Sequence, residues 1–313
     1  MTANIDPSET HRVVVGVDAS ESSGHAAFWA AREASMRGVP LTLAHALHLP
    51  TAAVAPYEPP ELAADLQAAG RELVSGLTAS IRERYPDLEV NAEFSPASPT
   101  NMLLGICAPD VLVVIGNSGH GVIKGLLLGS VSRAVALHPE GPVVVVRGPE
   151  PEQVDGAVVF GASPSPSDTA VDYAFAAARR YAAPLRVIRA WTPAVPPTMA
   201  AAPMSAMALG ISGPGVVSAP VQTSDSDADE AADAARAIEP YRAKYPDVEV
   251  EISAAAGDPA AALAEAGADA RLVVLGAHHH GPLSLGLSSV AEALLSRSSA
   301  PIAVIPPCDG DIS

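Results

Sequence analysis

The part of the sequence with the clearest chemical potential is a glycine-rich loop between an apolar run and a predicted helix. The run Val111–Ile115 is β-branched and apolar, as in a strand buried on both faces. The glycines that follow it are Gly116, Gly119, Gly121, Gly125 and Gly129. Ser130 then opens a helical pattern. Because glycine lets the backbone approach an anion and the first N–H groups of a helix attract negative charge, this arrangement predicts a phosphate-binding site.

The spacing of the loop residues is more specific than the number of glycines. Gly116, two residues, Gly119, nine residues, and then Gly129 and Ser130 resembles the G-x2-G-x9-G-S/T nucleotide loop of the universal stress protein family. The GSVSRAV continuation and the final PVVVV run are also similar to that family. The alternative is a glycine-rich connection that binds nothing. Neither GxxxxGK[ST] nor a GxGxxG followed by an acidic residue ~20 positions on occurs at this loop.

Two other segments are expected beside the loop, since ligands of open α/β sheets bind beyond the carboxyl ends of the strands. The predicted first strand leads through Gly16 and Val17 to Asp18. The Asp18 carboxylate could accept hydrogen bonds from ribose hydroxyls or an adenine amine, and the alternative is an N-cap or turn residue. The resemblance implies that Ala46, at the end of the second strand, contacts the adenine edge through its main chain. His45 is expected to face the core or a neighbouring strand.

The remaining contacts to a nucleotide are expected from the helix that follows the loop. Ser130 and Ser132 offer hydroxyls, and the N–H groups of Ser130 and Val131 lie at the helix start. Lys124 and His120 could touch a terminal phosphate or remain solvated. Mg²⁺ could arrive with the nucleotide, held mainly by phosphate oxygens and water. Because no nucleophile–base pair and no carboxylate cluster accompanies the loop, the sequence predicts a binder with at most slow hydrolysis.

The chain contains two copies of one unit. The segment Leu112–Gly116 recurs as Leu272–Gly276, an offset of 160 residues, whereas the first strands are offset by only 145. The difference predicts an insertion in the second copy, at about residues 192–226, in a region rich in Pro, Ala, Met, Gly and Ser. We therefore predict one domain at residues 1–148 and a second at residues 156–313.

Both copies show the same order of predicted elements. In the first copy the strands are predicted at residues 12–17, 41–46, 88–94, 111–115 and 143–146, and the helices at about 22–37, 60–84, 99–107 and from the loop to 138. Strands that alternate with helices predict an α/β protein with a parallel, doubly wound sheet. The resemblance covers nearly the whole chain. It implies two tandem Rossmann-like domains of the adenine nucleotide alpha hydrolase-like type, each with a five-stranded sheet and helices on both faces, as in tandem actinobacterial members.

The second copy departs from the loop spacing. Ser163 stands in place of the strand-end carboxylate (Ala162 if the alignment slips by one residue), and His279 stands in place of the second motif glycine. Ser288 and Ser289 replace the glycine–serine pair. A β-carbon where the backbone must approach an anion, together with the lost carboxylate, predicts weak nucleotide binding or none. The histidines around position 279 are interpreted as a polar loop rather than a metal site.

Composition excludes several functional classes. The formal net charge of -17 repels nucleic acid and anionic membrane. No apolar run approaches the ~18 residues of a membrane span, and the N-terminal residues lack the pattern of a secretory signal, so a cytoplasmic location is expected. The two cysteines, Cys107 and Cys308, indicate neither a disulfide framework nor a zinc motif.

The resulting hypothesis is an ATP-binding regulatory protein of the stress response, with the nucleotide held by the first copy. The alternatives are a cyclic-AMP or AMP binder, and a structural or interaction module with an empty site. In the resembling family the last strands pair edge to edge, which implies that residues 143–146 and 302–305 join the two copies across a pseudo-twofold axis. A homodimer of tandem chains is consistent with the resemblance but cannot be read from the residues.

Overall fold

The computed structural model describes residues 10–47, 60–117, 128–148, 156–191, 224–277 and 289–307. In the first copy the described elements are β1 (Arg12–Gly16), α1 (Glu21–Arg37), β2 (Leu41–Ala46), α2 (Pro60–Arg84), β3 (Val90–Ser95), α3 (Pro99–Ile106), β4 (Val111–Gly116), α4 (Ser130–Leu137) and β5 (Val143–Val146). In the second copy they are β6 (Val158–Gly161), α5 (Asp168–Tyr181), β7 (Leu185–Trp191), α6 (Ser224–Lys244), β8 (Val250–Ala256), α7 (Pro259–Ala266), β9 (Leu272–Gly276), α8 (Ser289–Arg297) and β10 (Ile302–Ile305). The alternation of strands and helices confirms the predicted fold class.

The predicted bounds of β2, α2 and β5 agree with the structure, whereas those of β1, β3 and β4 differ by one or two residues: β3 and β4 each end one residue later than predicted, at Ser95 and Gly116. β1 ends at Gly16 rather than at Val17, although the Val17 N–H still donates to the carbonyl of Ala44 on β2. β3 begins at Val90 rather than at residue 88 because Leu88 lies in a turn, where its N–H donates to the carbonyl of Tyr85.

The strands form one continuous sheet of ten strands rather than two separate sheets. Its order is β3-β2-β1-β4-β5-β10-β9-β6-β7-β8, so each copy contributes a block with the same internal order. All pairs within a copy are parallel. The copies join where β5 pairs antiparallel with β10, as the resemblance implied.

The register of the β5–β10 pair defines a pseudo-twofold axis. Val144 lies opposite Ala303. These two residues are also equivalent in the two copies, because Gly116 pairs with Val146 on β5 and its counterpart Gly276 pairs with Ile305 on β10. The axis therefore passes between equivalent residues, and one offset of 159 residues relates the last strands of the two copies.

Helices cover both faces of the sheet. One apolar cluster joins the strands to α1, α2, α5 and α6, and the other joins them to α3, α4, α7 and α8. Along β4, Leu112 and Val114 belong to the first cluster, whereas Val113 and Ile115 belong to the second. Burial on both faces explains why this strand is a continuous apolar run. None of the helices in the described ranges is long and apolar enough to cross a membrane.

Candidate functional site

A cleft of about 550 Å³ opens beyond the carboxyl ends of β1, β2 and β4 in the first copy. β1 lies between β2 and β4 in the sheet, which is where the strand order reverses. Open α/β sheets bind their ligands at such a point. The residues that line the cleft are Gly16, Val17, Asp18, Ser20, Ser23, Ala44, His45, Ala46, Pro99, Met102, Leu103, Ile115, Gly116, Gly129, Ser130, Val131 and Ser132.

The cleft brings together the predicted contact residues that the structure describes. Those residues are Gly16, Asp18, Ala46, Gly116, Gly129, Ser130, Val131 and Ser132. Gly119, Lys124 and His120 lie outside the described residues. Segments that are distant in the sequence thus meet at one edge of the sheet, and their contact with a ligand stays a prediction.

Helix α4 begins at the cleft without a side-chain cap. Its N-cap residue is Gly129, and no side chain bonds to the first turn from that position. In contrast, α1, α3, α5 and α7 are each capped by their own side chain, from Ser20, Ser98, Ser167 and Asp258. The first-turn N–H groups of α4 therefore lack the acceptor that these helices supply for themselves. An anion at this end of the cleft would provide it.

Ser132 connects the start of α4 to the end of β4. Its hydroxyl donates to the Gly116 carbonyl over 2.6 Å, and the residue is buried. Because the hydroxyl proton is used inside the protein, Ser132 fits a positioning role better than donation to a phosphate. Ser130, which is exposed at the helix start, keeps its place as the candidate hydroxyl contact.

Gly116 is required by packing as well as by the predicted approach of an anion. A β-carbon at this position would lie 2.5 Å from Ser22 Oγ and 2.8 Å from the Ser22 carbonyl oxygen. The Ser22 hydroxyl also donates to Asn117 Oδ1 over 2.8 Å. The first turn of α1 therefore packs directly on the end of β4, and only glycine leaves room for it.

Asp18 takes part in the turn that leads into α1. Its Oδ1 atom accepts from the Ser20 backbone N–H at 2.9 Å and also from the Ser20 hydroxyl. Ser20, rather than Asp18, is the N-cap of α1. The alternative turn interpretation of Asp18 is thus present in the structure. Its carboxylate still lines the cleft, so the turn places it where the nucleoside end of a ligand was predicted.

His45 lines the cleft and also supports its wall. Its Nδ1 atom lies 2.8 Å from the Val17 carbonyl oxygen, an arrangement in which Nδ1 carries the proton. The ring meets Phe94 on the neighbouring strand β3 edge to face, with centroids 6.3 Å apart. The ring also packs against Gly70 of α2, where a β-carbon would come within 2.6 Å of Nε2. The expected orientation toward a neighbouring strand agrees with these contacts.

Sequence reasoning missed the apolar floor of the cleft. Met102 and Leu103 on α3 line it and are nearly fully buried, and Pro99 lies at the start of the same helix. Apolar residues at helical spacing are typical of core packing, so they carried no separate signal. Ser20 and Ser23, which also line the cleft, could have been found from their position directly after the strand-end Asp18.

Larger side chains stand at the equivalent positions of the second copy. The Ala162 N–H donates to the Ile188 carbonyl, as Val17 does to Ala44, so Ile188 stands where the first copy has Ala44. This match also makes Ser163 the counterpart of Asp18. Ile188 packs into the apolar cluster that contains Leu263, the counterpart of Leu103.

The second copy also has an ion pair next to Ile188. Arg189, the counterpart of His45, is buried and donates through Nη1 to the Ala162 carbonyl over 3.2 Å. Its Nε atom lies 2.7 Å from Glu230 on α6. His279 and Ser288 of the predicted degenerate loop lie outside the described residues, whereas Ser289 begins α8 as expected.

The fold and the cleft together define a tandem α/β protein of Rossmann-like architecture. The sequence profile of the universal stress protein family matches residues 9–147 and again residues 157–306, so the chain belongs to that family, with two of its domains in tandem. It is 38% identical over 313 residues to the universal stress protein Rv1996 of Mycobacterium tuberculosis, covering 93% of this chain and 94% of that protein. It is 31% identical over 307 residues to Rv2005c of the same organism, covering 95% and 98%.

Among solved structures, the chain is similar to a universal stress protein from Archaeoglobus fulgidus. The TM-score is 0.65 at 18% sequence identity, and the match covers 95% of this chain and 99% of that one. A likeness at this identity supports the fold and leaves the ligand to be argued from the site.

Proposed function

We propose that the first copy binds ATP in the cleft and that the chain acts as a cytoplasmic, nucleotide-dependent regulator of the stress response. The observation that carries the proposal is the convergence of the described motif residues on one cleft at the switch point of the sheet. That cleft combines an apolar floor, a strand-end carboxylate and an uncapped helix start. These are the three environments that a base, a ribose and a phosphate chain require.

Each part of the nucleotide has a candidate partner. The base fits the apolar side of the cleft formed by Met102 and Leu103, with the main chain of Ala46 at its edge. The ribose hydroxyls fit the Asp18 carboxylate. The phosphates fit the start of α4, where Ser130 offers a hydroxyl and the first-turn N–H groups have no side-chain cap. Bound ATP would supply a charged ligand, with Mg²⁺ held mainly by its phosphate oxygens and water.

The lining of the cleft supports binding rather than catalysis. Among the described lining residues, Asp18 carries the only carboxylate, and its Oδ1 atom accepts from Ser20. The one imidazole in that set, His45, uses Nδ1 on the Val17 carbonyl. A general base must be able to reach the proton that it removes, and both groups are engaged in holding the cleft together.

Calorimetric titration with ATP, AMP and cyclic AMP tests the proposal. We expect ATP to bind most tightly, and we expect Gly119→Val, in the predicted phosphate loop, to abolish binding. Gly76→Ala is the matched control, because a β-carbon there meets nothing within 4 Å. Mass spectrometry of nucleotide released from the purified chain should identify ATP. Preference for cyclic AMP or AMP, or unchanged affinity in Gly119→Val, would contradict the assignment.

We further propose one nucleotide per chain. Ile188 is larger than its counterpart Ala44, Ser163 lacks the carboxylate of Asp18, and Arg189, next to Ile188, pairs with Glu230. A titration that required two equivalent sites per chain would show that the second copy is also competent.

A further inference from the structure

The two copies meet across the pseudo-twofold axis with unlike charges at equivalent positions. Arg133 on α4 lies 2.7 Å, Nε to Oε1, from Glu292 on α8. Because α4 begins at Ser130 and α8 at Ser289, the offset that relates the last strands also makes Arg133 and Glu292 equivalent. A symmetric pair of two first copies would therefore place arginine opposite arginine. A pair of two second copies would place glutamate opposite glutamate.

The other face of the sheet carries a second unlike contact between the copies. Glu33 on α1 is fully buried, accepts a hydrogen bond from the Tyr181 hydroxyl and lies 3.6 Å from Arg180 Nη1 on α5. Arg37, also on α1, donates to the Tyr173 hydroxyl of α5 over 3.3 Å. A buried carboxylate is tolerated only with such partners, and here Arg37 of the same helix supplies one at 3.1 Å while the second copy supplies the others.

The equivalent positions on these two helices differ. Both helices end in a left-handed residue, Gly38 in α1 and Ala182 in α5, and this aligns Ala177 with Glu33. A pair of two second copies would consequently bury Arg180 with no carboxylate at that place. In a pair of two first copies, each Glu33 would keep Arg37 of its own helix but would lose the Tyr181 hydrogen bond, and Met36 would stand in place of Arg180.

A third contact between the copies uses a side chain that only the first copy has. Arg147, directly after β5, donates through Nη1 to the carbonyls of Ser296 and Ser298 at the end of α8, over 3.3 and 3.4 Å. A guanidinium at the C-terminal end of a helix satisfies its last carbonyls and its dipole. The residue equivalent to Arg147 after β10 is Pro306, which has no such group. Two second copies could not make this contact.

We propose that these contacts make the β5–β10 surface selective for unlike copies, so that a first copy pairs with a second copy and rejects another first copy. The partner that this surface fits is a domain carrying Glu292, Tyr181 and Arg180 at the positions given above. Two chains that exchanged like copies would replace two Arg133–Glu292 pairs by one arginine pair and one glutamate pair. Like charges at a contact destabilise it, and an unmatched buried charge costs more.

The test begins with the full chain carrying a specific protease site between residues 149 and 155. After cleavage, ordinary and ¹⁵N-labelled samples are mixed, and native mass spectrometry follows the composition of the pairs over days. We expect the labels to exchange, and we expect every exchanged pair to contain one first and one second half. A substantial fraction of first–first or second–second pairs, or halves that do not pair, would overturn the proposal.

A charge reversal then tests the residues. In the cleaved chain, Arg133→Glu should raise the dissociation constant of the halves about fivefold, and adding Glu292→Arg should restore it to within about twofold. The matched control is the Arg236–Asp233 pair, which is also exposed but lies wholly within α6 of the second copy. Its reversal should leave pairing unchanged. A double reversal that fails to restore pairing would contradict the role of the Arg133–Glu292 contact.

Discussion

His45 and Arg189 occupy equivalent positions in the two copies, and each donates a hydrogen bond to the main-chain carbonyl that follows the first strand of its copy. The helix that packs against each side chain has a residue that suits its size and charge. Gly70 of α2 leaves room for the imidazole, whereas Glu230 of α6 pairs with the guanidinium. The contact between the second strand of the copy and the following helix is therefore made by the small pair His45 and Gly70 in the first copy. In the second copy it is made by the larger pair Arg189 and Glu230.

The first prediction concerns Gly70. Alanine favours a helix over glycine by about 1 kcal/mol, yet a β-carbon at this site would overlap His45 Nε2. We expect Gly70→Ala to displace the imidazole, to fail to raise the melting temperature and to weaken ATP binding roughly tenfold. Calorimetry and thermal unfolding measure both effects.

Gly76→Ala is the control for that experiment, since it lies in the same helix with open space around it. It should stabilise the chain by about 0.5–1 kcal/mol and leave affinity unchanged. If Gly70→Ala stabilised the chain as much as Gly76→Ala, the contact between α2 and His45 would not support the cleft.

The second prediction transfers the residue of the second copy into the first. Ala44→Ile adds the side chain that Ile188 has at the equivalent place, and it should fill the base end of the cleft. We expect the dissociation constant for ATP to rise by about tenfold or more while the chain stays folded. The reciprocal change, Ile188→Ala, should cost about 2 kcal/mol of stability without altering affinity. Equal loss of binding in both variants would point to a general effect on folding.

The third prediction separates the two roles of Asp18. Asp18→Asn keeps an oxygen that can accept from Ser20 but removes the negative charge, so the turn before α1 should persist. We expect thermal stability within about 0.5 kcal/mol of the parent and a several-fold loss of ATP affinity. Asp18→Ala should reduce both the thermal stability and the affinity for ATP. If Asp18→Asn bound ATP as the parent does, the carboxylate would serve the turn alone.

The fourth prediction concerns pH and Glu33. Burial by itself raises the pKa of this carboxyl, but the charges of Arg37 and Arg180 and the Tyr181 hydrogen bond outweigh it, so the pKa lies below its ordinary value of 4.5. A lowered pKa in the folded state means that the contribution to stability is present above pH 4.5 and is lost as the pH falls through the folded value. The parent should therefore lose stability steeply on acidification below pH 4.5.

In Glu33→Gln the free energy of unfolding should fall less steeply below pH 4.5. The substitution should also cost about 3 kcal/mol at pH 7, since it leaves buried arginines without their carboxylate. Urea unfolding at a series of pH values measures both. Glu251→Gln, which removes a carboxylate from the more exposed pair with Arg186, is the control and should cost less than about 1 kcal/mol at pH 7. If Glu33→Gln lost stability below pH 4.5 as the parent does, folding would not lower the pKa of this carboxyl.

Much of the fold and the polar side of the cleft could be predicted from the sequence. Continuous apolar runs such as Val111–Ile115 require burial on both faces, and the spacing of Gly116, Gly129 and Ser130 is specific because a strand, a loop and a helix must follow one another there. The apolar floor could not be predicted, since Met102 and Leu103 have the same pattern as any core residue.

The contacts between the copies were also beyond sequence reasoning. Glu33 on α1 and Arg180 on α5 are distant in the chain, and their charges resemble those of any solvated helix face. Only the packing of α1 against α5 shows that Glu33 is fully buried. In the same way, the hydroxyl of Ser132 offered two roles, and the 2.6 Å contact with Gly116 selects the structural one.

Because β5 and β10 pair antiparallel, the strands of the two copies run in opposite directions within one sheet. Parallel strands in the first copy run one way and those in the second run the other, so the carboxyl ends of β1 and β6 emerge at opposite rims. The cleft of the first copy and the equivalent region of the second copy therefore lie at opposite edges of the sheet. A ligand that reaches the edge of the sheet where β1 ends therefore approaches the cleft of the first copy from the side opposite to the equivalent region of the second copy.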